Sequence, residues 1–318
     1  MSQSTPTDLL SQYLARSKPY IIGADLFFER ALIALLSWGH MLLVGPPGVA
    51  KTRSAKVFAS LMELKSARIQ FTSDLLPSDV VGAEVYNPKT TSFESKKWPI
   101  FTEILIADEL NRAPAKVQSA MLEAMAEGQV TLAGISYTLP VPFMVIATMN
   151  PYDGVGTYTL PVASFDRFAL SYEFGYPSIE GEAAIMSLSH IDLPTESVLW
   201  VEDILALLKQ VKQVYIDDRI YNYIARLLAH LRSHEHLESW VSSRAGIALA
   251  RAAQSRAHLH GRTFVLPEDI QSLWSSVLLH RITVNYAASS AGITPQTLLR
   301  TAIEATNIEH ANENSYWV

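Results

Sequence analysis

Short apolar runs alternate with helical patterns along the first half of the chain. Before residue 177, five runs rich in β-branched residues predict buried strands at 41–44, 67–71, 103–107, 143–148 and 168–174. Helical spacing separates several of them, at 51–64, 75–81 and 115–127. Apolar strands alternating with helices are typical of a parallel sheet covered on both faces. We therefore predict a doubly wound α/β core.

Two polar segments interrupt this alternation. Residues 84–94 alternate around Asn87-Pro88, and residues 129–139 alternate around Ala133-Gly134. Alternating runs around such turn residues predict β-hairpins inserted into the α/β frame. Because a lone hairpin is only marginally stable, each should either pack on the body or project to contact another molecule.

The pattern changes after Pro177 and becomes helical. Helical spacing or strong helix formers occur at 182–189, 201–215, 220–233, 243–260 and 267–279, with a further amphipathic piece at 295–306. The helix from Ser243 ends just before Gly261, and Pro267 with two following acids suits a first helical turn. The sequence thus predicts an α/β core at 1–177 and an all-α domain at 178–318.

Composition narrows the class of protein. The 318 residues are 49% hydrophobic and 18% charged, which is typical of a folded globular chain. The net charge of -6 argues against general affinity for nucleic acid, and the absence of cysteine excludes disulfides and thiolate metal sites. Residues 1–7 lack a signal-peptide pattern. The apolar stretch 31–44 is broken by Gly39-His40, is too short to cross a bilayer and predicts a helix end followed by a buried strand. We expect a soluble cytoplasmic protein.

The strongest chemical signal is a Gly/Pro loop after the first strand. Residues 45–52 read Gly-Pro-Pro-Gly-Val-Ala-Lys-Thr, close to the phosphate-binding pattern G-x-x-x-x-G-K-[ST]. Lys51 would reach the β/γ-phosphates and Thr52 would ligate Mg²⁺. Ala50 takes the second glycine position, which predicts a negative φ there. The alternative is a tight turn with a surface lysine.

Two later strands also end in polar groups. Asp108 and Glu109 follow the run at 103–107, where Asp108 could hold Mg²⁺ through water and Glu109 could activate the attacking water. Thr148 and Asn150 follow the run at 143–148, and the amide could hold the water or the γ-phosphate. An acidic helix start and an Asn-Pro turn are the respective alternatives.

Together these segments resemble the MoxR family of AAA+ ATPases, and residues 178–318 are similar to that family's helical lid. The match covers about half of the chain. The residues that carry it lie at 45–52, 108–114 (Asp-Glu-Leu-Asn-Arg-Ala-Pro), 118–125, 127–131, 147–151, 156–161 and 166–168 (Asp-Arg-Phe). Alanine at position 50 is itself common in this family.

The resemblance implies a role for each matching residue. Glu109, Asn150, Arg167 and Lys51 would be catalytic, with Asn150 as sensor 1 and Arg167 as an arginine finger for the neighbouring subunit. Thr52 and Asp108 would hold the metal. The residues implied to bind the nucleotide are Ile22, Gly23, Gly45, Pro46, Pro47, Gly48, Val49, Ala50, Lys51, Thr52, Arg53 and Arg244.

Arg244 would be sensor 2, contacting the γ-phosphate of its own subunit. The family usually has a Gly/Ala/Ser-Pro run before this arginine, whereas Trp240-Val-Ser-Ser243 precedes it here, so an ordinary surface arginine is the alternative. Arg112 lies beside the acidic pair and is left unassigned. The two hairpins match insertions that line the central pore of the family's ring.

The resemblance further implies ATP and Mg²⁺ as cofactors and hydrolysis between subunits of a homo-oligomeric, hexameric ring. Its output would be chaperone-like remodelling of a client complex, with a von Willebrand A domain partner and without insertion into a membrane. An ATP-dependent switch with little turnover and a P-loop kinase or transferase remain alternatives. Lys89, Lys96 and Lys97 in the first hairpin leave a nucleic-acid motor open.

Overall fold

The computed structural model describes residues 5–87, 92–97, 99–132, 134–151, 158, 160–187, 192–239 and 241–306. Within them, five strands form a parallel sheet in the spatial order β2-β5-β8-β1-β9. Its strands are β1 (His40–Val44), β2 (Ser66–Gln70), β5 (Ile104–Asp108), β8 (Met144–Met149) and β9 (Phe168–Glu173). Two antiparallel hairpins are formed by β3 (Gly82–Asn87) with β4 (Ser92–Lys97), and by β6 (Gln129–Leu132) with β7 (Ile135–Thr138).

Helices flank the sheet and then form the C-terminal region. Those of the first region are α1 (Pro6–Ser17), α2 (Asp25–Leu36), α3 (Lys51–Ser60), α4 (Pro77–Val81), α5 (Ala115–Glu127) and α6 (Val162–Phe165). Those of the second are α7 (Ile179–Ser187), α8 (Val201–Val211), α9 (Asp218–Arg232), α10 (Ser243–Leu259), α11 (Pro267–Leu278), α12 (Tyr286–Ser290) and α13 (Pro295–Ala305). Short 3-10 turns lie at Leu110–Arg112 and Leu279–Arg281.

The predicted fold class is confirmed: a parallel α/β sheet with two hairpins precedes a helical region. Each strand of the parallel sheet lies within one residue of its predicted bounds. Part of each hairpin turn lies outside the described ranges. Lys89 and part of the motif at 156–161 lie outside them too. The division at residue 177 stays a prediction.

Two helices end earlier than predicted, because residues near their predicted ends instead form isolated β-bridges with residues far along the chain. The helix from Lys51 ends at Ser60 rather than at residue 64, since Met62 forms a parallel bridge with Leu199. The helix from Val201 ends at Val211 rather than at 215, since residue 215 bridges with residue 264. Neither pairing partner is adjacent in the chain, so local spacing could not reveal the stop.

Helix α1 was not predicted, and of α2 only the end was predicted, as the apolar stretch before the first strand. In α2, nine of twelve residues are buried, so it carries no polar stripe and shows little helical periodicity. The Tyr13 hydroxyl on α1 donates to the Phe58 carbonyl at 3.1 Å, which holds α1 against α3. Helix α2 packs on β1 and β9, and α1 packs on α2 and α10; much of the helical region belongs to the same apolar cluster.

Alternate strand residues point to opposite faces of the sheet, as its pleat requires. Met41 and Leu43 belong to the cluster shared with the helical region, whereas Leu42 belongs to the cluster formed with α4 and α5. The sheet is thus buried on both faces, so a ligand would bind at the carboxyl ends of the strands, as is usual in open α/β sheets. Among the described helices, none combines the length and apolar character needed to cross a bilayer.

Candidate nucleotide site

The loop from β1 to α3 has the geometry of a phosphate cradle. A side chain at Gly45 would place its Cβ 2.5 Å from the Phe174 carbonyl oxygen, so only glycine fits beside β9. Lys51 Nζ donates to the carbonyls of Gly45 and Pro46, both at 2.6 Å. Because α3 begins at Lys51, its unpaired N–H groups and positive dipole end face the loop.

Ala50 contradicts the expectation of a negative φ. Its φ is +61° and its ψ is +21°, in the left-handed region that glycine usually occupies. Ala50 is the N-cap residue of α3, so this conformation falls where the chain passes from the loop into the helix, and it carries a free-energy cost because alanine has a Cβ. That cost is about 1–3 kcal/mol, and such strain concentrates at functional sites.

Asp108, at the end of β5, accepts hydrogen bonds from three side chains. Its Oδ1 accepts from Thr52 Oγ1 at 2.8 Å and Thr148 Oγ1 at 2.6 Å, and its Oδ2 accepts from Arg68 Nη2 at 2.6 Å. Burial raises the pKa of the Asp108 carboxyl, but the bonds from Thr148, Arg68 and Thr52 outweigh it and hold the pKa below its ordinary value. The carboxylate therefore stays ionised at neutral pH.

The pair formed by Thr52 and Asp108 fits a hard divalent cation. A hydroxyl and an ionised carboxylate 2.8 Å apart are oxygen ligands of the kind that Mg²⁺ prefers. No cluster of three or more His, Asp or Glu side chains suited to a metal occurs in the described part of the chain. A metal held here would thus take few protein ligands and complete its shell with water and phosphate oxygens, as Mg²⁺ commonly does.

Glu109 has partners that the sequence did not predict. One oxygen, Oε2, accepts from Gln70 Nε2 at 3.0 Å and lies 3.1 Å from Arg112 Nε. Its backbone is left-handed, with φ +59°, and its N–H donates to Thr148 Oγ1 at 2.9 Å. The second carboxylate oxygen has no partner among the described residues. The carboxylate is thus oriented through one oxygen, with the other available to a ligand.

Asn150 is buried just beyond the end of β8, and its carbonyl accepts from Asn111 Nδ2 at 3.2 Å. Strand β8 lies between β5 and β1 in the sheet. Since carboxyl ends of parallel strands meet at one edge, Asn150 lies between Asp108 and the phosphate loop. The structure therefore brings Lys51, Asp108 and Asn150 to the same edge.

A cavity of about 810 Å³ opens beside the phosphate loop. This volume lies within the range of about 300–1,000 Å³ typical of small-molecule sites. Seven of the residues assigned to the nucleotide line it: Ile22, Gly23, Pro47, Gly48, Val49, Ala50 and Arg53. Its opposite wall consists of residues 172–178 and part of α7, which the sequence did not assign to the site.

Arg167 lies at the amino ends of the strands (the amino edge of the sheet), whereas Lys51 lies at their carboxyl ends (the carboxyl edge). The next residue, Phe168, pairs with His40 at the start of β1, whereas the phosphate loop follows the end of β1. Five strand residues separate these levels by about 17 Å, beyond the reach of an arginine side chain. Arg167 therefore cannot contact the phosphate loop of its own chain. It makes no side-chain hydrogen bond or ion pair with any described residue.

Arg244 lies near Arg167 rather than near the loop. It is the second residue of α10, whose N-cap Ser242 donates to the Asp166 carboxylate at 2.6 Å. Asp166 directly precedes Arg167, so α10 begins at the amino edge of the sheet. The structure argues against the expected contact of Arg244 with the γ-phosphate of its own subunit. Its exposed side chain has no hydrogen-bonding or ionic partner in the described ranges.

Sequence reasoning missed the residues that orient the two acids. Arg68 and Gln70 lie on the edge strand β2, two residues apart and so on one side of it. Ser66, Arg68 and Gln70 alternate with Ala67 and Ile69, and this alternation was the available signal. What they contact depends on the pairing of β2 with β5, which aligns Gln70 with Asp108.

Comparisons with known proteins agree with this geometry. A model of the ATPase family associated with various cellular activities (AAA) matches residues 40–170, and a model of the AAA lid domain matches residues 229–302. The chain is 43% identical to the uncharacterised protein YeaC of Bacillus subtilis, over 87% of this chain and 88% of that protein. It is 36% identical to Chaperone MoxR1 of Mycobacterium tuberculosis, over 95% of this chain and 83% of that protein.

Solved structures agree as well. The crystal structure of a proposed ATPase from Cytophaga hutchinsonii superimposes with a TM-score of 0.87 at 36% identity, covering 95% of both chains. Fold, phosphate loop and acidic strand end thus define a P-loop AAA ATPase with a helical lid domain. Within that class, the chain belongs to the MoxR family of AAA+ ATPases.

Proposed function

We propose that this protein is a Mg²⁺-dependent ATPase that hydrolyses ATP between the subunits of a cytoplasmic ring, most simply a hexamer. One observation carries the proposal. Lys51, Thr52, Asp108 and Glu109 gather at one edge of the sheet, while Arg167 lies at the other edge with no partner among the described residues. Such a site would be completed in a ring, where the amino ends of one subunit's strands, with Arg167, face the carboxyl ends of the next subunit's strands, with Lys51.

Within one subunit, the phosphates of ATP would lie on the loop at 45–52 and its adenine in the adjoining cavity. Lys51 would move from the carbonyls of Gly45 and Pro46 to the β- and γ-phosphate oxygens. Thr52 and Asp108 would hold the metal, which supplies neutralisation of charge on the transferred phosphate. Glu109 would accept a proton from the attacking water through the oxygen that Gln70 and Arg112 leave open.

The neighbouring subunit would contribute positive charge. Arg167 would act as an arginine finger in trans, a contribution worth about 10³ to 10⁵ in rate in P-loop hydrolases. Because Arg244 lies near Arg167, we extend the proposal to Arg244 and assign it to the neighbour's nucleotide rather than its own. A monomer should therefore hydrolyse ATP slowly even when it binds ATP well.

Mixed assemblies of two inactive variants test this proposal. Subunits with Arg167→Ala keep their own site but donate no finger, whereas subunits with Glu109→Gln donate the finger but turn over poorly. We expect each variant alone to bind ATP and to hydrolyse it slowly, and their mixture to regain part of the activity. Lys51→Ala should lose ATP binding altogether. Failure of the mixture to recover, with co-assembly demonstrated, would contradict the finger in trans.

We further propose that hydrolysis drives chaperone-like remodelling of a client protein complex, with the two hairpins lining the pore and a von Willebrand A domain protein as partner. The supporting observation is the similarity to Chaperone MoxR1. Affinity isolation with Glu109→Gln and ATP, followed by mass spectrometry, should retain the client and the partner. Lys51→Ala under the same conditions should not retain them, and equal recovery by both variants would contradict an ATP-dependent interaction.

A further inference from the structure

The helical region holds the residues on both sides of Arg167. Asp166 accepts from Arg281 Nε at 3.0 Å through Oδ1 and from Ser242 Oγ at 2.6 Å through Oδ2. On the other side, the Phe168 carbonyl accepts from Arg281 Nη2 at 2.7 Å and from His280 Nε2 at 3.0 Å. The backbone of Arg167 is thus fixed at two points, while its side chain makes no polar contact with described residues.

Arg281 anchors this arrangement inside the protein. Only 4% of the residue is exposed, and its charge is balanced by Asp166. Its Nη1 also donates to the carbonyls of Val277 and Ala169, so the guanidinium joins the end of α11 to the start of β9. A buried ion pair with its remaining donors bonded has a defined geometry, because any other arrangement would leave charge unpaired.

Ser242 links the same carboxylate to the start of α10. Its hydroxyl donates to Asp166 and accepts from the backbone N–H of Arg244 at 3.0 Å. The Ser242 side chain therefore connects Asp166, which precedes Arg167, to the backbone of Arg244 at the start of α10. Arg167, which is half-buried, and Arg244, which is exposed, lie 77 residues apart in the chain, yet they share one polar anchor.

We propose that Asp166, Ser242 and Arg281 form a positioning cluster that sets the spacing between Arg167 and Arg244, so that the two guanidinium groups reach a neighbouring subunit's nucleotide as a pair. This inference rests on the proposed function, because it concerns arginines that act in trans. The three cluster residues touch no phosphate themselves. They act only by placing the two arginines.

Other contacts between the helical region and the α/β region, made by α2 and by β9, do not depend on this cluster. Arg30 Nη2 donates to the Ser272 carbonyl at 2.7 Å, and Ser171 Oγ donates to the Ser276 carbonyl at 3.3 Å. His260 lies 3.0 Å from Glu29, and one apolar cluster spans both regions. Loss of the Ser242 hydroxyl should therefore change the amino edge locally and leave the two regions packed.

The test uses the mixed assembly of Glu109→Gln and Arg167→Ala subunits and measures its ATP turnover. Ser242→Gly is introduced into only one of these two subunit types in each experiment. Glycine is tolerated as a helix cap, so this change removes the bond to Asp166 with little cost to α10. Ser242→Thr keeps a hydroxyl at the same place, and Ser243→Gly makes the same change one residue later, where no side-chain hydrogen bond to a described residue exists. Each is introduced into the finger donor (Glu109→Gln) or into the acceptor (Arg167→Ala).

We expect Ser242→Gly in the donor to lower the recovered ATP turnover about tenfold, since displacement of a catalytic group by about 1 Å costs up to 10²-fold. The same change in the acceptor should leave turnover unaltered, as should Ser242→Thr or Ser243→Gly in the donor. A merely structural role would affect donor and acceptor alike, and that result would overturn the inference. Full recovery with the Ser242→Gly donor would also overturn it while leaving the proposed ATPase intact.

Recovery in the unmodified mixture is measured first and separates the two hypotheses. Its absence, with co-assembly demonstrated, would refute action in trans and this inference with it. As a second measurement independent of Ser242, Asp166→Asn in the donor should lower recovered turnover at least as far, because an amide cannot balance the charge of Arg281. Undiminished recovery with a folded Asp166→Asn donor would count against the cluster.

Discussion

Acidification should destabilise this protein through His40, the first residue of β1. The imidazole is buried, with its Nδ1 accepting from the Val145 N–H and its Nε2–H donating to the Met125 carbonyl, both at 3.0 Å. These bonds require the neutral ring, since a protonated Nδ1 could not accept. Burial lowers the pKa of His40 from 6.5 to about 4, and the bond to Met125 offsets only part of this effect.

The sign and size of the effect follow from the two pKa values. Between pH 6.5 and pH 4 the unfolded chain binds a proton at this histidine and the folded chain does not, so stability falls as pH falls. Each pKa unit corresponds to about 1.36 kcal/mol, so the loss from His40 should reach about 2 kcal/mol at pH 5. Below pH 4 both states are protonated and the contribution stops growing.

Urea unfolding of wild type and His40→Gln at pH 7.5, 6 and 5 measures this contribution. The variant should be less stable at pH 7.5 because one buried bond is lost, but its free energy of unfolding should fall by about 2 kcal/mol less on going to pH 5. Burial also lowers the pKa of His280, so only the difference between the two proteins isolates His40. His230→Gln, on α9, is the matched control. Parallel pH profiles for wild type and His40→Gln would refute the reasoning.

Substitutions at three further positions probe the candidate site. Gly45→Ala should destabilise the chain by about 2 kcal/mol or more and abolish ATP binding, because the new Cβ meets the Phe174 carbonyl; fluorescent ATP titration and urea unfolding measure both effects. Ala50→Gly should change stability by less than about 1 kcal/mol, whereas Ala50→Val should cost more than that, since a β-branched residue strains a positive φ; equal effects in urea unfolding would contradict the left-handed backbone. Thr148→Val should raise the pKa of Asp108, cost about 1–3 kcal/mol and increase the Mg²⁺ concentration needed for ATP binding; Thr148→Ser should restore binding, and an unchanged Mg²⁺ requirement would contradict the role of the hydroxyl.

The proposed catalytic residues lie at both ends of the strands, and this division would have a functional consequence. A chain that carries Lys51 at one edge and Arg167 at the other cannot complete its own site, so activity would depend on assembly. If Arg244 also serves the neighbour, each interface would receive two arginines from one subunit. Their common attachment to Asp166 would then make the position of the helical region a determinant of the neighbour's activity.

The sequence by itself determined the order of the sheet strands and hairpins and the residue types at the carboxyl ends of the strands. Apolar runs define buried strands through local periodicity, and the phosphate loop is contiguous in the chain, so both are visible without a fold. Asp108 and Glu109 at the end of β5 and Asn150 just beyond β8 lie at strand ends for the same reason, while their catalytic roles stay predictions. Each directly follows an apolar strand, and parallel strands bring their ends together.

Only the tertiary structure decided the features that depend on residues far apart in the chain. The ends of α3 and α8 are set by pairing with residues near 199 and 264, and the orientation of Glu109 depends on Gln70 across the sheet. The backbone of Ala50 is left-handed where the loop passes into α3, although a negative φ was predicted from its side chain. Arg244 was expected beside the γ-phosphate from the family resemblance, but the hydrogen bond between Ser242 and Asp166, 76 residues apart, holds the start of α10 at the amino ends of the strands.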